Sequence, residues 1–72
     1  MIKIKNNEQE RLRIGKRIAE LRKLQGMTQQ QLADKSGISR EHLTRIEAGK
    51  YSVGLDALTS IAVALNTQFD FI

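Results

Sequence analysis

The stretch TQQQLADKSGISREHLTRIEAGK, residues 28–50, decides the fold. Thr28 followed three residues later by Gln31 forms a capping box, so a helix opens there. Leu32 and Ala33 point inward. Gly37 closes the segment after about two turns, because glycine takes a positive φ at little steric cost. Ser39 caps the next helix after a turn of very few residues, Leu43 and Ile46 give it a buried stripe, and Gly49 ends it. The pattern is two short helices joined by a tight turn. Ala33 is small where they cross, and Ile38, Leu43 and Ile46 hold the second helix on the core. The opposite face, carrying Arg40, Glu41, Thr44 and Arg45 with Ser39 and His42 near its start, stays free.

Outward from this stretch the spacing predicts two more helices. Toward the N-terminus, Ile14, Ile18 and Leu21 recur at i, i+4 and i+7, with Leu24 three further on and Gly26 as a stop. Asn7 and Glu10 offer the opening cap. Toward the C-terminus, Gly54 is the expected cap, with Asp56 near the positive helix end. Leu55, Leu58, Ile61, Ala62 and Leu65 form an apolar face, and Asn66 is the stop. The two ends of the chain alternate instead. Ile2 and Ile4, and Phe69 and Phe71, suit short strands that would pair in a ribbon, against the ordinary alternative of frayed termini. The expectation is an all-α domain over residues 1–72, with helices near 7–25, 28–36, 39–48 and 54–65 and strand-like ends at 1–5 and 68–72.

The composition fits a small helical bundle. The 72 residues contain no cysteine and no proline, and 40% are hydrophobic. The formal charge of +4 is uneven. Residues 1–50 hold all 12 basic groups and six acids, a net of +6, whereas residues 51–72 hold Asp56 and Asp70 alone. A basic body suits a phosphate-backbone partner. No apolar run approaches the roughly 20 residues that span a bilayer, and no signal-peptide pattern opens the chain, so a cytoplasmic location is expected. His42 is the one histidine and has no cysteine or carboxylate cluster beside it, which argues against a metal site. No nucleophile–base arrangement or phosphate-cradling glycine loop is present, so neither an enzyme nor a cofactor is expected.

A helix mounted with one face free can enter the DNA major groove, where Arg pairs with guanine and Glu accepts from cytosine. The run from Met27 through Gly37 to Ser39, with Leu43 to Lys50 after it, resembles the lambda-repressor-like (XRE-type) helix-turn-helix family. The resemblance extends from Ile14 to Leu65. It departs at Ser36, where the family often has a larger apolar residue, and at Val53 and Gly54, which replace proline and serine. It implies a four-helix bundle in which Arg40, Glu41 and Arg45 contact bases, Gln29 grips a phosphate and braces the recognition helix, and Lys50 and Tyr51 contact the DNA backbone. Ser39 and Thr44, on the same free face, are further expected base contacts, and His42 is an expected backbone contact. The resemblance also implies an internal ion pair between Arg22 and Glu47. Without the surrounding motif, Arg40, Glu41 and Arg45 read as a solvated helix face with a Glu41–Arg45 pair.

The expected function is a sequence-specific regulator of transcription, a repressor, that binds double-stranded DNA as a homodimer. The alternative is an antitoxin that sequesters a toxin protein and regulates its own operon, with Phe69, Phe71 and Ile72 as partner surface. The chain leaves no room for a ligand-sensing domain, so regulation is expected to come from a partner, proteolysis or concentration.

Overall fold

The computed structural model describes residues 7–50 and 52–67. Four helices account for most of them: α1 (Asn7–Leu24), α2 (Gln29–Ser36), α3 (Arg40–Glu47) and α4 (Leu55–Ala64). The all-α reading therefore holds. The expected ranges were slightly wider because they counted the capping residues, which flank a helix without belonging to it. The strand-like ends at 1–5 and 68–72 lie outside the described residues, as does Tyr51.

Local chemistry fixes the starts of the two central helices. The Thr28 hydroxyl accepts from the Gln31 amide at 3.1 Å, and the Gln31 side chain accepts from the Thr28 amide at 2.9 Å. Ser39 caps α3 by accepting from the His42 amide at 3.0 Å. Gly54 precedes α4 without a side-chain cap. All four helices end alike, with one residue in the left-handed region: Gly26, Gly37, Gly49 and Asn66. In each case the next amide reaches back to the carbonyl five residues earlier, as from Ile38 to Ala33 at 3.1 Å. At Gly37 this motif turns the chain within three residues, so α3 starts immediately after α2.

The core is Ile18, Leu32, Ala33, Leu43, Ile46, Ile61, Ala62 and Leu65, drawn from all four helices and the α4 cap. Ile14, Leu21, Met27, Ile38, Val53 and Leu58 pack around it. Helix α2 lies between α3 and α4, and α1 lies against α3. Each fully buried Leu or Ile contributes roughly 1.5–3 kcal/mol of transfer free energy. Two expected inward residues face solvent: Leu24 is 79% exposed and Leu55 67%. At 100° per residue, Leu24 lies about 120° around α1 from Ile18, and Leu55 lies about 120° around α4 from Ile61. Both sit in end turns that leave them outside the packed stripe.

One packing device escaped the sequence reading. A Cβ at Gly15 would run into the Ile46 carbonyl oxygen and come within 2.8 Å of the Glu47 carbonyl oxygen. Glycine at that point of α1 lets it rest directly on the last turn of α3. An isolated glycine inside a helical pattern was the available signal.

Candidate nucleic-acid interface

Helix α3 is divided cleanly. Leu43 is fully buried and Ile46 is 1% exposed, while Ser39, Arg40, Glu41, Thr44 and Arg45 are all exposed. Residues 40, 41, 44 and 45 share one side of two turns, opposite the side rooted in the core. The face carries two arginines and one carboxylate. Glu41 Oε1 lies 3.9 Å from Arg40 Nη2, a long contact between exposed groups that leaves both available. The local pairing found on this face is thus Arg40–Glu41 between neighbours, in place of the Glu41–Arg45 pair at i, i+4.

The seating of α3 depends on a polar chain that crosses three helices. Arg22 of α1 donates from Nε to Glu47 Oε2 at 2.8 Å and from Nη2 to Glu47 Oε1 at 3.1 Å. Its Nη1 donates to the Met27 carbonyl at 2.9 Å, an additional contact that tethers the segment before α2. The Arg22 and Glu47 side chains are 11% and 7% exposed, so this two-pronged pair is nearly dry. Glu47 Oε1 also accepts from Gln29 Nε2 at 3.0 Å. The Gln29 Oε1 accepts in turn from the Thr44 hydroxyl at 3.1 Å, and that hydroxyl lies 2.8 Å from the Arg40 carbonyl. A carboxylate can only accept, so the Gln29 nitrogen must face Glu47 and its oxygen must face Thr44. No periodicity argument could have found the Gln29–Thr44 bond, because it joins two helices through rotamers.

The remaining expected contacts frame this face. Gln29 is half-buried at the first turn of α2, His42 is half-buried on the flank of α3, and Lys50 is exposed just beyond Gly49. Two exposed basic residues of α1 make local pairs, Arg13 with Glu10 at 3.1 Å and Arg17 with Glu20 at 3.5 Å. Among the described residues there is no group of three metal-ligating side chains, and no helix is long and apolar enough to cross a membrane.

Comparison with known proteins places this arrangement. A helix-turn-helix family model, HTH_3, matches residues 18–72. The chain is 42% identical over 55 residues to the immunity repressor protein of Bacillus phage phi105, covering 76% of this chain and 38% of that protein. It is 41% identical over 54 residues to an uncharacterized HTH-type transcriptional regulator of Archaeoglobus fulgidus, covering 75% and 77%. The crystal structure of the restriction-modification controller protein C.AhdI from Aeromonas hydrophila superposes with a TM-score of 0.84 at 31% identity, over 86% of this chain and 94% of that one. The chain thus spans well under half of the phage repressor but nearly all of the controller protein.

Proposed function

The chain belongs to the HTH_3 helix-turn-helix family, and on that premise we propose that it is a sequence-specific double-stranded DNA-binding regulator of transcription, acting as a repressor and binding as a homodimer with α3 in the major groove. The observation that carries this reading is the exposed face of α3. It presents Arg40, Glu41, Thr44 and Arg45 on a helix whose other side is locked into the core. The related regulators, one of them a repressor by name, point the same way.

Each residue has a role suited to its chemistry. Arg40 and Arg45 make paired hydrogen bonds to guanine, and Glu41 accepts from a cytosine amino group. Ser39 keeps a hydroxyl proton for the DNA, since its oxygen serves the cap as an acceptor. Gln29 has its oxygen engaged by Thr44 and one N–H by Glu47, which ties its amide to the protein. Its second N–H suits a phosphate oxygen, a contact that positions the protein without reading sequence. Lys50, His42 and Tyr51 supply further backbone contacts. The antitoxin alternative drew its partner surface from Phe69, Phe71 and Ile72, which lie outside the described residues, and no observation favours it.

Selection of bound fragments from a random double-stranded DNA library with the purified chain tests the proposal. The expected result is a two-fold symmetric motif with half-sites about one helical turn (roughly 34 Å) apart. Arg40→Ala and Arg45→Ala should each lose roughly 1–3 kcal/mol of discrimination at one base pair. Equal affinity for all sequences, governed by salt alone, would overturn it.

A further inference from the structure

We propose that Thr44 is a specificity-determining residue that reads thymine through its methyl group, with its hydroxyl proton committed to partners within the protein. The inference rests on the reading of α3 as the helix that enters the major groove, and it names the base one of its residues recognises there.

The argument starts from the single proton of the Thr44 hydroxyl. Its two neighbours are the Arg40 carbonyl at 2.8 Å and the Gln29 Oε1 at 3.1 Å, and both can only accept. The hydroxyl therefore donates within the protein, along its own helix and toward α2. Gln29 cannot turn over to release it, since its nitrogen is held by Glu47, and Glu47 is held by both prongs of Arg22. The chain Arg22–Glu47–Gln29–Thr44 thus reaches from a nearly dry ion pair to the exposed face.

Threonine in a helix has two main side-chain rotamers, distinguished by whether the hydroxyl bonds the preceding turn. Here it does. With the hydroxyl turned away, the only other group on the Thr44 Cβ is the methyl, and the residue is exposed. Its position between Arg40 and Arg45 puts that methyl in the middle of the face that carries the guanidinium groups. An apolar group flanked by base-reading arginines matches the one apolar mark the major groove displays, the C5 methyl of thymine. The fixed rotamer supplies the placement that a methyl–methyl contact needs, because such a contact has no directional bond of its own.

The test uses the double-stranded site selected by the wild-type chain. Each thymine is replaced in turn by deoxyuridine, which removes only the C5 methyl. One such replacement per half-site removes two methyls from the site of the dimer and should weaken wild-type binding about ten- to twenty-fivefold, three- to fivefold for each buried methyl. Thr44→Ser keeps the hydroxyl and should bind the thymine and deoxyuridine sites equally. Thr44→Val keeps a methyl and should preserve the discrimination while binding every sequence more weakly, since Gln29 loses its partner. Thermal melting of both variants checks that they fold. The scan of the wild type needs no variant at all. Indifference of the wild type at every thymine would overturn the proposal, as would a selected site without thymine, discrimination retained by Thr44→Ser, or discrimination lost by Thr44→Val. A selection that returned no sequence preference would instead bring down the underlying reading of α3, and this proposal with it.

Discussion

Glu47 concentrates more of the fold than any other polar side chain described. It accepts from two nitrogens of Arg22 and from Gln29 while only 7% exposed. Removing one partner of a buried pair leaves the other charge stranded, at a cost of about 3–5 kcal/mol. A 72-residue chain has only several kcal/mol in total. Glu47→Ala should therefore unfold much of the population at 25 °C by far-UV circular dichroism. Arg22→Leu combined with Glu47→Leu should melt higher than either single change, because two apolar residues strand no charge. A double variant less stable than both singles would contradict that account. Ser36 makes the opposite case. It is 6% exposed, and its hydroxyl has no hydrogen-bond partner among the described residues. Ser36→Ala removes that desolvated group and should raise the urea midpoint, by about 1 kcal/mol in stability. At this scale the sequence was only half legible. Burial of Leu43 and Ile46 followed from spacing. The Arg22–Glu47 pairing was implied only by the family resemblance, since residues 25 positions apart leave no local pattern. That Gln29 braces α3 was likewise implied only by the resemblance, and its bond to Thr44 was invisible, because it depends on how two side chains rotate once α2 and α3 are in place.

At the scale of elements, sequence and structure agree best where a helix boundary is set by a few neighbouring atoms. Thr28, Ser39 and Gly54 were legible as openings, and Gly26, Gly37, Gly49 and Asn66 as stops, because caps are local chemistry. How closely two helices approach is not local, and there the reading fell short. Gly15 shows the conflict between levels. In an isolated helix, alanine is favoured over glycine by about 1 kcal/mol. In this fold a Cβ at position 15 meets the carbonyl oxygens of Ile46 and Glu47, which are backbone and cannot swing aside. Forcing α1 off α3 should outweigh the helical preference, so Gly15→Ala is expected to destabilise by about 1–3 kcal/mol. It should also weaken DNA binding, since the same movement disturbs Glu47 and the seating of α3. A variant that melts at or above the wild-type temperature would mean that α1 and α3 are less closely docked than described.

For the whole molecule, the dimensions of α3 bear on how it can be specific. Eight residues at 1.5 Å each make a helix of about 12 Å, long enough to face three or four base pairs. A word that short recurs throughout any genome, so one chain cannot single out a site. Two copies on half-sites about one turn apart double the sequence read and multiply the discrimination, which is the physical case for the proposed homodimer. Charge makes the binding long-ranged without making it selective. On the proposed reading, the basic excess of residues 1–50 draws the chain to any duplex, while the face of α3 decides where it stops. These two contributions separate experimentally. Inserting five base pairs between the half-sites of the selected site turns them to opposite sides of the helix, beyond what one dimer can span. Affinity should fall toward that for a single half-site, while the slope against salt approaches that of one chain. Lys50→Ala should lower the slope on the intact site by about two, one for each copy, because each lost cation releases one fewer counterion. Gln29→Ala removes the proposed neutral phosphate donor and should weaken binding with the slope unchanged. Undiminished affinity after the insertion would show that the two half-sites are filled independently, and the proposed homodimer would have to be abandoned.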